Sequence, residues 1–497
     1  MAARALQAAR GGEDWLAWSA IAAGLIGGTW AAVLLLTRAQ GLATTAYDLA
    51  FFQQLVWRIG QDGAWLTSFD DGSFLGLHFS PLLVVPAALQ QVFGHDARWL
   101  TTIHAVAVGA LAPATFLFLR AALRPSRQAG FVALGLAIPA PIWAVSQEIS
   151  RADFHPELVG IVLALLAGWA GLTRRVRMMW LLAALAVTAR EDVAYAVLVA
   201  ALVVAAVAAG KRARRHGLLL AGVAIAWGIT VFGVVMPAIR GDAVVDTARY
   251  YAWLGRGPEI LLAPFTLTSE IVAALTRPQP WFVVAGLGIT LLCLPLLRPR
   301  WLLLLVPPLA ATLLSRHLPQ PFLILQYPII LIVPALAAAA MGARRALAIL
   351  GRRRRRAVHP TIRVGAMMAL TVPALVVAVA QGSLPPFDQG GAWSFAQPPA
   401  INAARTVAAL APPDARLIVD EGTAAPLASR LDIALITWPR AGRPTDFVLL
   451  DRAAWSPSRW ADERRRQVAS RVQGQGRPVL ADDGRFLLLG PIPKAGS

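Results

Sequence analysis

Eleven apolar stretches, at residues 15–37, 98–119, 128–146, 157–173, 178–190, 192–210, 217–238, 280–297, 301–315, 321–341 and 364–382, set the limits on what this chain can fold into. A helix needs about 17 to 25 residues to cross a bilayer; most of the stretches reach that length, and 178–190 and 301–315 are short of it. Within lipid each segment has to satisfy its own backbone polar groups, so such runs become helices. Only 15% of the 497 residues are charged and 57% are apolar, which argues against a string of soluble domains. The expectation is a polytopic α-helical membrane protein with about 11 transmembrane helices. Its first stretch lacks a small-residue cleavage site and is too long for a signal-peptide core, so it reads as a retained anchor. A single cysteine, Cys293, excludes a disulfide framework, a four-cysteine zinc site and a cysteine-pair redox centre.

The formal charge of +19 has three readings: nucleic-acid contact, attraction to anionic lipid, or the cytoplasmic bias of membrane loops. Sorting the charges by the two sides that the spans create decides among them. Loops on the side of the N-terminus hold 20 basic residues and no acid, including Arg124, Arg298, Arg300, Arg344, Arg345 and the run Arg352 to Arg356. Loops on the other side hold 14 acids, Asp242 among them, against 10 basic residues. The basic excess is a topology signal, with the N-terminus cytoplasmic and the tail beyond residue 382 outside. Membrane lipid is therefore the expected partner of the basic run, and nucleic acid is not.

The first outer loop, 38–98, is too long for a connector and too apolar to be disordered. Residues 48–57 and 82–93 have apolar side chains at helical spacing, and both read as helices lying in the membrane interface, with Trp57 and Trp65 as anchors. Between them lie the turn-like segments Asp70-Asp71-Gly72 and Gly76-Leu77-His78-Phe79-Ser80-Pro81. Other polar groups converge on the same outer face: Gln147 to Glu157, with five ionisable residues including Arg151 and His155, and Arg190-Glu191-Asp192. Ionisable groups near hydrocarbon depth are costly, which marks them as candidate site residues. Each also has a plain structural reading. Asp48 could cap a helix, His78 could bond to turn backbone, Glu157 could sit against a helix dipole, and Arg190 could simply pair with Glu191 or Asp192.

Their joint arrangement resembles a known family. Tyr47-Asp48-Leu49-Ala50-Phe51-Phe52-Gln53-Gln54-Leu55-Val56-Trp57, His78-Phe79-Ser80-Pro81, Asp153-Phe154-His155-Pro156-Glu157-Leu158 and Arg190-Glu191-Asp192 are similar to successive blocks of the bacterial membrane proteins grouped as domain of unknown function 2079. Arg249-Tyr250-Tyr251-Ala252-Trp253-Leu254-Gly255 and Gln326-Tyr327-Pro328 continue the series. The resemblance implies a C-type (GT-C-like) glycosyltransferase architecture in a bacterial cytoplasmic membrane, acting on a polyprenyl-phosphate-linked sugar at the extracytoplasmic face. It implies Asp48 as catalytic base or metal-holding acid. The family block often carries a second acid where Gln53 stands, which disfavours a paired-carboxylate metal site; Asp70 and Asp71 are weak substitutes, and a divalent cation is left open.

Transfer from such a donor needs a base for the acceptor hydroxyl, cations for the leaving phosphate and a groove for the lipid. Asp48, with His78 and Glu157 to orient base or acceptor, fills the first role. Arg151 or Arg190 fills the second, because a guanidinium offers paired donors to phosphate oxygens. Tyr47, His155, Glu191, Asp192, Tyr250 and Tyr327 are expected to support them. The acceptor would be an envelope glycan or lipid.

Beyond a transmembrane domain at 1–382 the composition changes. Pro385-Pro386 and Gly390-Gly391 read as a linker, and strand-like runs at 417–420, 433–437, 447–450 and 486–489 with a helix-like run at 459–472 predict a small extracytoplasmic α/β domain within 383–497. Its expected role is acceptor binding or capping of the site, a structural lid being the alternative. Two other functions fit the same sequence: a transporter or flippase of a lipid-linked saccharide, against which no inverted repeat is visible, and a non-catalytic envelope assembly protein.

Overall fold

The structure, a computed structural model, describes residues 14–123, 126–241, 246–255, 259–353, 360–387, 399–438, 441–454 and 459–493. Asp242, Arg124, residues 354–356 of the arginine run and the Gly390-Gly391 linker lie outside the described residues.

Helices form where the apolar runs stand. In chain order they include α1 (Asp14–Gln40), α2 (Phe51–Asp62), α3 (Val84–Phe93), α4 (Arg98–Ala122), α5 (Arg127–Ala137), α6 (Ala144–Arg151), α7 (Pro156–Leu172), α8 (Val176–Val187), α9 (Val193–Val207), α10 (Lys211–Thr230), α11 (Pro278–Thr290), α12 (Val306–Leu313), α13 (Ile332–Arg353) and α14 (Pro360–Gln381). Among the described residues, five helical segments are long and apolar enough to cross a membrane: 15–40, 98–122, 128–151, 211–240 and 327–350. Most of the other expected spans are shorter helices, among them 156–172, 176–187 and 193–207. The 178–190 helix ends at Val187, and the 280–297 run breaks at Thr290, where Leu292 and Cys293 turn left-handed.

The bundle is held by close packing rather than by expulsion of water, since lipid is as apolar as the side chains. A Cβ on Gly24 of α1 would lie 2.6 Å from the Gly109 carbonyl of α4, and one on Gly109 would lie 2.6 Å from the Gly24 carbonyl. Only glycine allows these two helices so near each other. Leu25 and Ile26, on the outer face of α1, remain exposed, as lipid-facing residues would.

Residues 399–493 form the expected α/β unit. Its sheet has the order β2-β1-β3-β5-β4, from β1 (Leu417–Val419), β2 (Ile433–Leu435), β3 (Phe447–Asp451), β4 (Val479–Asp482) and β5 (Phe486–Leu489). Strand β1 runs parallel to β2 and β3, whereas β5 is antiparallel to β3 and β4. Three helices complete it, α15 (Ile401–Ala408), α16 (Glu421–Leu427) and α17 (Arg459–Gln473).

This unit and the 38–98 loop share one apolar core, in which Leu49, Phe52, Leu55 and Phe74 pack with Ala404, Leu417, Leu427 and Ile433. The loop therefore departs in part from the expected pair of interfacial helices. Residues 51–56 of α2 are buried, and Trp65 packs against the shared core, so α2 is an interdomain helix. Helix α3 keeps Val84, Val85, Val92 and Phe93 exposed and retains the apolar face that an interfacial helix requires. Gln53 explains its own departure from the family block: buried, it exchanges amide hydrogen bonds with Gln90 at 3.0 and 2.8 Å and donates to Ser429 Oγ at 3.2 Å. It clamps α2 to α3 and to the α/β unit.

Candidate active site

Asp48 stands within a π-helical turn, Ala46–Ala50, that leads into α2. The residue before that turn is Thr45, so the capping role is not the one Asp48 plays. Instead its carboxylate accepts from Thr45 Oγ1 at 2.7 Å and lies 2.9 Å from His155 Nε2. His155 precedes Pro156, whose fixed φ starts α7, and the imidazole projects from that helix entrance toward Asp48. Its Nδ1 faces Glu157 at 3.2 and 3.3 Å, and Glu157 pairs in turn with Arg190. Arg190 also binds Asp192 through two contacts, at 3.1 and 2.6 Å. A continuous run therefore passes from Asp48 through His155 and Glu157 to Arg190 and Asp192.

Behind the run lies a second buried ion pair. Asp153, in a left-handed conformation (φ 60°) between α6 and α7, binds Arg38 Nη1 at 2.8 Å and accepts from the Thr45 backbone N–H at 2.8 Å, with Thr45 Oγ1 3.0 Å away. Burial pushes the Asp153 carboxyl up to about 6, against the opposing pull of Arg38 and the Thr45 bonds. Thr45 thus anchors the Asp48 turn to the α6–α7 link, which Asp153 ties to Arg38 of α1.

The C-terminal unit reaches the same turn. Glu421 Oε1 accepts from the Ala46 backbone N–H at 3.0 Å, and the Trp438 indole donates to Tyr47 Oη at 2.7 Å. Burial lifts Glu421 to about 7, the Ala46 bond opposing and the negative charge of Asp48 adding to the rise. Gly422 lies so tightly against the chain that a Cβ there would stand 1.6 Å from the Leu42 carbonyl oxygen.

In front of the turn is a cavity of about 420 Å³. Five of the blocks singled out in the sequence contribute to its wall, through Tyr47, His78, Arg190, Tyr250 and Tyr327, joined by Glu191, Asp192 and Asp70. His78 does not approach Asp48. Its Nδ1 is 2.8 Å from Glu191 Oε1, while the other Glu191 oxygen accepts from the Phe79 N–H at 2.8 Å. Burial alone would raise Glu191; the His78 contact and nearby Arg190 instead hold it below the usual carboxylate range. Tyr250 stacks on His317, ring centroids 4.4 Å apart, and Arg249 lies over the Tyr250 ring at 5.3 Å. Phe232, Pro308, Ile329 and Ile330 form an apolar side.

Asp48 is a partly buried neighbour of Tyr47 and is not itself a wall residue of this cavity. Arg151 is not a wall residue either; it pairs with Glu148 at 3.2 Å. Asp70 binds Arg240 at 3.1 Å, and Asp71 is exposed beside it. Among the described residues no group of three or more His, Cys, Asp or Glu side chains is placed to hold a metal ion, so Asp48, Asp70 and Asp71 do not assemble a carboxylate cage. Sequence reasoning missed Arg38, His317, Gln320 and Glu421. Arg38 and Glu421 carried a readable signal, a charge at the end of an apolar span and an acid opening a helix, whereas His317 and Gln320 sit in a short irregular link with none.

A family model matches residues 38–486, and its description is "predicted membrane protein (DUF2079)". The chain belongs to that family. The match runs from the end of α1 to the start of β5, so the site described above is built wholly from family sequence. No curated protein sequence matches. Among solved structures, ArnT from Cupriavidus metallidurans bound to undecaprenyl phosphate is similar over 94% of this chain and 97% of its own, at 11% identity and a TM-score of 0.44. The Archaeoglobus fulgidus oligosaccharyltransferase in complex with zinc and sulfate is similar over 86% of this chain and 68% of its own, at 14% identity and a TM-score of 0.40. The AglB oligosaccharyltransferase of the same organism, with an inhibitory peptide and a dolichol-phosphate, matches at 12% identity over 86% and 69%, with a TM-score of 0.39. These likenesses are distant, and the functional reading of the family member described here rests on its own site.

Proposed function

We propose that this protein is a membrane glycosyltransferase that moves a sugar from a polyprenyl-phosphate carrier to a cell-envelope acceptor on the extracytoplasmic face of a bacterial cytoplasmic membrane. The observation that carries the reading is the hydrogen-bonded run from Asp48 to Arg190. It joins a candidate base to a guanidinium in the wall of a cavity lined by arginines, carboxylates, aromatic rings and apolar side chains.

In this mechanism the acceptor hydroxyl oxygen attacks the anomeric carbon while the bond from that carbon to the phosphate oxygen breaks. The polyprenyl phosphate leaves with the bonding electron pair. Asp48 takes the hydroxyl proton. His155 and Thr45 keep the Asp48 carboxylate oriented, each occupying one oxygen and leaving further lone-pair positions for the proton. Arg190 faces the leaving phosphate, its charge adjusted by Glu157 and Asp192, and His78 supplies a further donor beside it. Glu191 fixes the His78 ring. Tyr250, His317 and Tyr327 give flat faces against which a sugar ring can pack, and the apolar wall suits the first isoprene units. Arg151, held by Glu148, serves the α6–α7 link. No step requires a metal held by the residues present; a divalent cation would have to be recruited together with the substrate phosphate.

The test is transfer by the purified, reconstituted protein from a panel of polyprenyl-phosphate sugars to an envelope extract. The proposal expects sugar in the acceptor fraction and release of polyprenyl phosphate, both lost in Asp48→Asn. Movement of intact lipid-linked sugar across the vesicle without bond cleavage would instead identify a flippase.

A further inference from the structure

The end of the bundle remote from the candidate site carries two adjoining cavities, of about 830 and 200 Å³, that share Arg298 and Arg344 in their walls. The larger adds Arg345 and the smaller adds Arg300, and among the described residues no carboxylate lines either one. Two of the arginines are steered into place by backbone carbonyls, Arg344 by Ala122 at 2.6 Å and Arg345 by Leu297 at 2.9 Å. Ser126 and Gln128, at the start of α5, also belong to the larger wall. Ser126 Oγ caps that 11-residue helix by accepting from the Ala129 N–H at 3.1 Å, so the positive end of its dipole opens on the same cavity. The remaining wall is apolar: Trp301 in the smaller cavity, and Leu347 with the exposed Ile349 in the larger.

Four guanidiniums from two separate chain segments, a helix N-terminus and an apolar flank together describe a receptor for an anion with a hydrocarbon tail. The segment Arg298 to Trp301 and the helix α13 both contribute arginines to these cavity walls. A guanidinium presents paired donors to phosphate oxygens, and a cation cluster of this kind attracts anionic headgroups. We propose that these cavities bind the phosphodiester headgroup of an anionic phospholipid, with its acyl chains along Trp301 and Leu347. The site is separate from the cavity at Arg190 and independent of the transfer reading.

The experiment is native mass spectrometry of the full chain, released from nanodiscs containing either cardiolipin or phosphatidylglycerol mixed with phosphatidylcholine. Wild type is expected to retain the anionic lipids over phosphatidylcholine by about tenfold or more, and each arginine lost is expected to weaken that preference by about fivefold. The double variant R298Q/R345Q should retain all lipids alike while unfolding at the wild-type temperature in phosphatidylcholine. Should that variant misfold, Arg300→Gln measured in the same way decides the matter. Equal retention of anionic and zwitterionic lipid by wild type, or an unchanged preference in the variants, overturns the proposal. So does loss of the retained lipid to millimolar inorganic phosphate, which would mark the cavities as a site for a soluble anion.

Discussion

Glu421→Gln should change how the stability of the protein depends on pH, by an amount that follows from where the side chain sits. Glu421 is held between the α/β unit and the Asp48 turn, accepting from the Ala46 N–H at 3.0 Å, and burial lifts its carboxyl from 4.5 to about 7. Because the native pKa is the higher one, the folded protein binds a proton between pH 4.5 and 7 that the unfolded chain has released. The contribution of Glu421 to stability is therefore complete below pH 4.5, declines as the pH rises through that window, and is level above about pH 8. A rise of this size corresponds to about 3 kcal/mol. Glutamine keeps an oxygen for the Ala46 N–H and carries no charge, so the variant should lack this decline. Its unfolding temperature should match that of wild type near pH 4.5 and exceed it increasingly toward pH 8. Differential scanning fluorimetry of both proteins in the same detergent, with Trp438 at the interface as an intrinsic reporter, measures the difference directly. Other buried acids such as Asp153 titrate in both proteins and cancel in the comparison. Parallel curves for the two proteins from pH 4.5 to 8 would refute the assignment of a strained carboxyl at this interface.

Other outcomes follow from the same contacts. Gly422→Val would force a side chain into the Leu42 carbonyl, where even a Cβ stands at 1.6 Å, and should free the α/β unit so that limited proteolysis releases it while wild type stays intact. Arg38→Met leaves Asp153 buried without its cation and should cost about 3 to 5 kcal/mol, whereas Arg38→Met with Asp153→Leu should recover much of the loss; chemical denaturation of the two variants compares them. In a Cys293→Ser background, Asp71→Cys should react with an impermeant maleimide only from outside the cell and Arg300→Cys only from inside, and labelling of both from one side would overturn the topology.

Much of the architecture was legible because the membrane removes alternatives. Long runs without charge have little choice but helix, and the one-sided distribution of arginine marks the faces of the bundle. The site was legible block by block, since Tyr47, His78, Arg190, Tyr250 and Tyr327 do meet at one cavity. Which acid faces which base was not, because those pairings are set by tertiary approach. His78 and Glu191 are 113 residues apart in sequence, and Asp48 and His155 are 107 apart. His155 is the histidine beside Asp48, whereas His78 and Glu157 were expected to orient base or acceptor. The role of α2 was misread for a related reason: an apolar helical face signals burial, but the sequence does not say whether lipid or a distant domain will cover it. Strand β4 went unnoticed as a short edge strand with mostly exposed residues, which carries no burial pattern to detect.

The most direct test of the central claim is the transfer rate of Asp48→Asn against wild type, measured with a polyprenyl-phosphate sugar that wild type accepts. Asparagine keeps the size of the side chain and an oxygen for Thr45 or His155 but is not a base. The account predicts a fall of about 10² to 10⁴ in turnover at an unchanged unfolding temperature. A well-folded Asp48→Asn protein that transfers sugar at the wild-type rate would contradict it.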